Sequence, residues 1–284
     1  MHTPPKGLFV SDLDGTLLQD DATLSPHARE TLTNLLEDGF PFTIATARSI
    51  VSVKQILKDL PITLPVVCSN GAYLSDFNTG KHHAVNGVNK PRDLDILELI
   101  RDAGFHPFIS TYHEGKDHLY MDRITNEAMR WYQQDRVTEG DERLMVVDDL
   151  SSVMHEKVIC FNVLEREAPL KELEKQLRAR FGELLHIYFY ENWYSPEWFW
   201  LSVHDESATK GGAIRIILKE LGLTSDQLTV FGDNLNDVSM FQLAGQAVAM
   251  ENAKPELKAL ATTQIGTNQA DSVVNYLANY ADGE

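Results

Sequence analysis

The stretch Gly7-Leu8-Phe9-Val10-Ser11-Asp12-Leu13-Asp14-Gly15-Thr16 decides the fold. A short apolar run ends directly on two acidic residues that flank one leucine. A run of this length predicts a strand buried on both faces, as in a parallel sheet. Working outward, Ser25-Pro26 predicts a helix start, with a side-chain acceptor at the cap and proline at the first helical position. Leu24, Ala28, Leu32, Leu35 and Leu36 give that helix one apolar face, and Gly39 is placed to end it. Phe42 to Thr46 predicts a second strand, Ile50 to Leu60 a second helix, and Pro65 to Cys68 a third strand.

The same alternation returns late in the chain. A helix is expected over Gly211 to Leu221, then the strand Leu228-Thr229-Val230-Phe231, which runs into Gly232-Asp233. A helix from about Asn236, a strand over Ala247 to Met250, and helices holding Leu257-Leu260 and Val273-Leu277 follow. Strands joined by helices build a doubly wound parallel α/β sheet. The middle differs in texture and holds three of the four tryptophans, Trp131, Trp193 and Trp198. It reads as an inserted α+β domain over 83–198, leaving 1–82 and 199–284 as one α/β core domain. The expected crossings are Gly80 to His83 and Pro196-Glu197.

Asp and Glu number 42 against 25 Lys and Arg, a net charge of −17. Such a surface repels nucleic acid and anionic membranes, so neither is an expected partner. An anionic substrate must be drawn in locally, by a cation or by aimed backbone dipoles. Cys68 and Cys160 sit in apolar runs and read as buried free thiols of a reducing compartment. No signal-peptide pattern opens the chain, and no stretch reaches the ~18 apolar residues of a membrane span, so a cytoplasmic location is expected.

Asp12 and Asp14 follow a strand directly, where open parallel sheets bind ligands. Carboxylates that close repel each other unless a cation settles the conflict, and oxygen ligands of this kind suit Mg²⁺. A solvated Asp-x-Asp-Gly turn is the plain alternative. Gly232-Asp233-Asn234-Leu235-Asn236-Asp237 forms a second acidic cluster at a strand end, although Asp and Asn also cap helices. Thr46 ends the second predicted strand, where its hydroxyl and the amides beyond it could hold a phosphoryl oxygen. Lys210, before Gly211-Gly212, could supply the missing local cation.

In this order the segments resemble the haloacid dehalogenase superfamily of phosphohydrolases, and in particular its Cof-type branch, class IIB, with a large α/β cap. The motifs are Asp12-Leu13-Asp14-Gly15-Thr16, Thr46-Ala47-Arg48, Ser69-Asn70-Gly71-Ala72, Lys210-Gly211 and Gly232 to Asp237. Ala47 departs from the glycine common in the second motif and narrows the approach to phosphate without removing a catalytic group. The resemblance implies a Rossmann-like core and a Mg²⁺-dependent phosphatase whose nucleophile is Asp12, forming an aspartyl-phosphate. It implies Asp14 as general acid and base, and Mg²⁺ held by Asp12, the Asp14 carbonyl and Asp233, with Asp237 nearby. Thr46, the Ala47 amide, Lys210 and Asn236 would hold the phosphoryl oxygens, with Asn70 and Arg48 on the substrate side.

The substrate class implied is a small phosphorylated metabolite, foremost a sugar phosphate, with nucleotides or pyridoxal phosphate also open. A sugar-phosphate mutase and a phospho-accepting signalling module are the alternatives. The second conflicts with the chain's length and with the early place of Asp12. In the insert, Trp131, Tyr132, Tyr188, Tyr190, Trp193, Tyr194 and Trp198 could line a pocket, but read first as core. His82-His83 reads as a loop rather than a metal pair, because adjacent extended residues point apart. His113, His118 and Arg123 could reach a substrate, with nothing in their spacing to select them.

Overall fold

A computed structural model describes residues 7–192 and 195–283, so Trp193 and Tyr194 lie outside the described residues. The chain opens with β1 (Leu8–Ser11), α1 (Pro26–Glu37), β2 (Phe42–Ile44), α2 (Ile50–Leu57), β3 (Val66–Cys68), β4 (Tyr73–Ser75) and β5 (His82–Val85). Next come α3 (Arg92–Asp102), β6 (Phe108–His113), β7 (Lys116–Met121), α4 (Glu127–Thr138), β8 (Leu144–Val146), β9 (Lys157–Arg166), α5 (Glu167–Phe181), β10 (Leu185–Glu191) and β11 (Trp198–Asp205). The last part holds α6 (Lys210–Leu221), β12 (Leu228–Gly232), α7 (Val238–Phe241), β13 (Gln246–Met250), α8 (Pro255–Lys258), β14 (Thr263–Ile265) and α9 (Ser272–Asp282).

Two compact units result, residues 7–85 with 209–283 and residues 86–208. The first is the core. Its parallel sheet runs β14-β13-β12-β1-β2, and a parallel bridge between Ala45 and Val67 carries it on to β3. β3, β4 and β5 then form an antiparallel extension. Leu8, Phe9, Val10 and Ser11 are all buried, as a central parallel strand requires. Ser25 caps α1 by accepting from the Ala28 N–H at 2.9 Å, a contact worth about 1 kcal/mol. α9 closes against the sheet through Tyr280, whose ring meets that of Phe9 at 4.8 Å.

The second unit is built on a six-stranded sheet, β10-β11-β9-β6-β7-β8. Phe161, Val163, Leu201 and Val203 pack with Leu170, Leu173 and Leu177 of α5 in its main core. Tyr132 sits edge-on to both Phe108 and Trp200 at 4.9 Å, and Trp198 is buried beneath the Arg166 guanidinium, so these aromatics are core. His118 joins Thr111 and Tyr120 on the buried Glu156 carboxylate. In the core unit His82 and His83 open the strand β5 rather than lying in a loop, and His82 bonds Ser75 while His83 is exposed, the opposed directions of neighbours on a strand.

The boundaries differ from the expected ones. β5 pairs with β4, so the first crossing falls after Val85 rather than before His83. The larger correction is at the second. Pro196-Glu197 is a turn inside the insert, because β11 is hydrogen-bonded between β10 and β9. The crossing therefore follows Ala208, not Trp198.

His204, on β11, is buried, and among the described residues its Nδ1 has no hydrogen-bond partner. Burial pulls its imidazole down to about 3, with the nearby His186 adding to the shift. An unfolded histidine titrates near ~6.5. Between those values the unfolded chain binds a proton that the folded chain refuses, so stability falls as pH drops through that window. The melting temperature of the wild type should fall more steeply from about pH 7 to about pH 5 than that of His204→Leu. Parallel curves in a thermal scan would refute this.

Candidate active site

The core sheet reverses its direction of growth at β1: the chain adds β2 and β3 on one side and β12, β13 and β14 on the other. The crevice beyond the strand ends at such a reversal is where α/β sheets bind ligands. Asp12 leaves β1 there, its N–H donating to Phe231 O at 3.0 Å. Gly15 turns the chain with φ 74°, and a Cβ on it would stand 2.6 Å from Asp233 Oδ2. Glycine is thus needed both for the conformation and for the approach of Asp233. Thr16 fixes that carboxylate by donating to Asp233 Oδ1 at 3.0 Å, a contact the sequence reading missed although Thr16 closes the first motif.

Lys210 opens α6 and is fully buried. Its ammonium donates to Asp12 Oδ1 at 2.7 Å and to Asp237 Oδ1 at 2.6 Å. Burial pulls the ammonium down, but Asp12 and Asp237 more than offset this and hold it above its ordinary value. Asp237 uses its other oxygen to accept from the N–H groups of Asp233 and Asn234, both at 3.0 Å.

One lysine does not neutralise this cluster. Burial raises the Asp12 carboxyl well above the usual range, Lys210 offsets part of that, and Asp237, Asp233 and Asp14 add to it. Asp233 is pushed up to about 7, by burial first and by Asp237 next. Asp12, Asp233 and Asp237 each present an oxygen within 4.8 Å of the others. Asp12 and Asp233 engage their Oδ1 atoms in the bonds above, and among the described residues no hydrogen bond reaches the Oδ2 of either. Hard oxygen donors with unrelieved negative charge fit a small divalent cation.

Thr46 is buried at the mouth of the second strand, and its hydroxyl accepts from the Arg48 N–H at 3.1 Å, while Ala47 beside it is exposed. Two side chains take partners that the sequence does not announce. Arg48, placed on the substrate side by the sequence reading, forks the Asp14 carboxylate, with Nε at 2.8 Å and Nη2 at 2.6 Å. Asp14 stands outside the cluster of three carboxylates, and its side chain is 49% exposed. Asn70, also expected on the substrate side, is buried and accepts from Asn236 Nδ2 at 3.0 Å. Asn252, which no motif marked, donates to Gly15 O at 2.7 Å and steadies the first loop.

Fold and site define an α/β enzyme with an acidic, lysine-bridged centre at the reversal of a parallel sheet. The model of the haloacid dehalogenase-like hydrolases matches residues 9–277, and the chain belongs to that family. It is 28% identical to the 5-amino-6-(5-phospho-D-ribitylamino)uracil phosphatase YitU of Bacillus subtilis, over 99% of both chains. It is 27% identical to the pyridoxal phosphate phosphatase YbhA of Escherichia coli, over 96% of this chain and 98% of the relative. A solved structure from Thermotoga maritima is 26% identical, with a TM-score of 0.76 over 96% of this chain and 97% of its own. No helix among the described residues is long and apolar enough to cross a membrane.

Proposed function

We propose that the chain is a Mg²⁺-dependent phosphatase of small phosphorylated metabolites that carries the phosphoryl group on Asp12. The bridge from Asp12 through the buried Lys210 to Asp237 supports this reading most. It orients one oxygen of a carboxylate at the strand end through a buried cation and leaves the second oxygen to attack phosphorus.

Asp12 attacks phosphorus, the bond from phosphorus to the leaving oxygen breaks, and Asp14 gives that oxygen its proton. Water then attacks the same phosphorus, Asp14 takes a proton back, and inorganic phosphate leaves a regenerated Asp12. Both oxygens of Asp14 accept from Arg48 in the present arrangement, so proton delivery requires that fork to open. Thr46, the Ala47 amide, Lys210 and Asn236 hold the equatorial oxygens, over which charge spreads in the transition state. Mg²⁺, held by Asp12 and Asp233 with Asp237 behind them, would neutralise the repulsion between a carboxylate and a phosphate dianion. The relatives named for a ribitylamino-uracil phosphate and for pyridoxal phosphate favour a leaving group of that size. Sugar phosphates remain the first class to assay.

Phosphate release across such a panel should cease in EDTA and return with Mg²⁺. Mg²⁺ should also raise the melting temperature of the wild type but not that of Asp233→Asn, because ligand bound only to the folded state stabilises it. Turnover undiminished by EDTA, or an equal thermal shift in both proteins, contradicts the metal assignment. Transfer between sugar positions without release of inorganic phosphate would favour the mutase.

A further inference from the structure

Ser69, Asn70 and Gly71 run left-handed in succession, with φ of 49°, 56° and 96°. Two of the three carry a side chain, and such a conformation persists only where the surroundings over-determine it. Those surroundings are the phosphate-site segments themselves. Ser69 N–H donates to Arg48 O and Asn70 N–H to Thr46 O, both at 2.9 Å, which clamps the turn to the Thr46–Arg48 loop. A Cβ on Gly71 would lie 2.1 Å from Thr209 O, so only glycine lets the turn close against the residue before Lys210. The Asn70 side chain, 4% exposed, accepts from Asn236 Nδ2 at 3.0 Å.

One turn thus touches all three segments given a phosphate role, those of Thr46, Lys210 and Asn236. We propose that Asn70 is a positioning residue that aligns the phosphate cradle, and not a group that meets the leaving group. The inference rests on the phosphatase reading. With one N–H held by Asn70, the Asn236 amide is fixed in rotation and presents its second N–H in one direction. Its loss disturbs the phosphoryl end of every substrate alike.

Asn70→Gly separates backbone from side chain, because glycine adopts the same left-handed conformation while removing the amide. The variant should keep the wild-type circular dichroism and thermal transition. Its kcat/KM should fall at least about tenfold, by the same factor for p-nitrophenyl phosphate, a hexose phosphate and pyridoxal phosphate. Calorimetric binding of inorganic phosphate to the full chain should weaken in parallel. In combination with Asn236→Ala the losses should not multiply, since the two residues act as a unit. Unchanged rates and phosphate affinity, a loss confined to one leaving group, or multiplied losses would each overturn the proposal. A wild type that released phosphate from none of these esters would remove the phosphatase reading. The calorimetric comparison would still decide the role of Asn70, with equal phosphate affinity in both proteins counting against it.

Discussion

Asp12→Asn is expected to lose at least about 10⁴-fold in kcat, the scale on which removal of a nucleophile acts. An amide oxygen cannot form the acyl phosphate, yet the variant keeps the shape of the side chain and an acceptor for Lys210. The fold should survive, and the metal-free protein should gain stability. Asp12 is held among Asp233, Asp237 and Asp14 in a buried place, and burial and these neighbours raise its carboxyl above the usual range by more than Lys210 offsets. Removing one charge from that cluster relieves repulsion. Thermal melting with and without Mg²⁺ checks this: the variant should melt at or above the metal-free wild type and gain less from the ion. A variant that unfolds, or that turns over at the wild-type rate, contradicts the assignment.

Lys210→Met is the second large effect, and it strikes stability as well as rate. The ammonium is fully buried between Asp12 and Asp237, so its loss leaves two carboxylates facing each other without a cation. Breaking a buried ion pair by removing one partner costs about 3–5 kcal/mol. At about 2–4 °C per kcal/mol for a chain of moderate size, the melting temperature should fall on the order of 10 °C. Adding Asp12→Asn to this variant should recover part of the loss, because the double variant buries one unpaired charge fewer. Additive destabilisation in that cycle would mean that the lysine packs rather than pairs.

The sequence made the core legible where local signals and tertiary structure agree. β1, α1 with its Ser25 cap, β12 and the Lys210 helix fall close to where apolar runs and capping residues put them. The residues at their ends are legible for the same reason, since the sheet brings Asp12, Asp233, Asp237 and Lys210 together. Long-range pairing was less readable. Pro196-Glu197 carries the composition of a linker, but β11 beyond it is bonded to strands that begin at Leu185 and Lys157, which no local signal announces. The β4–β5 hairpin and the short β14 are likewise too brief for a periodicity to mark.

Side-chain partners were the other limit. The motifs around Arg48 and Asn70 mark their neighbourhood in the chain but not their partners. That Arg48 forks Asp14, and that Asn70 holds Asn236, depends on distances across 34 and 166 residues of chain. A pattern of residue types gives the neighbourhood, while the direction of each side chain is set by the packing around it.

The central claim is that the phosphoryl group passes through Asp12. Acid quenching of the wild type during steady-state turnover of an active phosphoester, followed by peptide mass spectrometry, measures it directly. A phosphoryl group on the peptide that contains Asp12, absent from Asp12→Asn, is the predicted result. Continued phosphate release with the group on another residue, or with Asp12→Asn equally active, would contradict it.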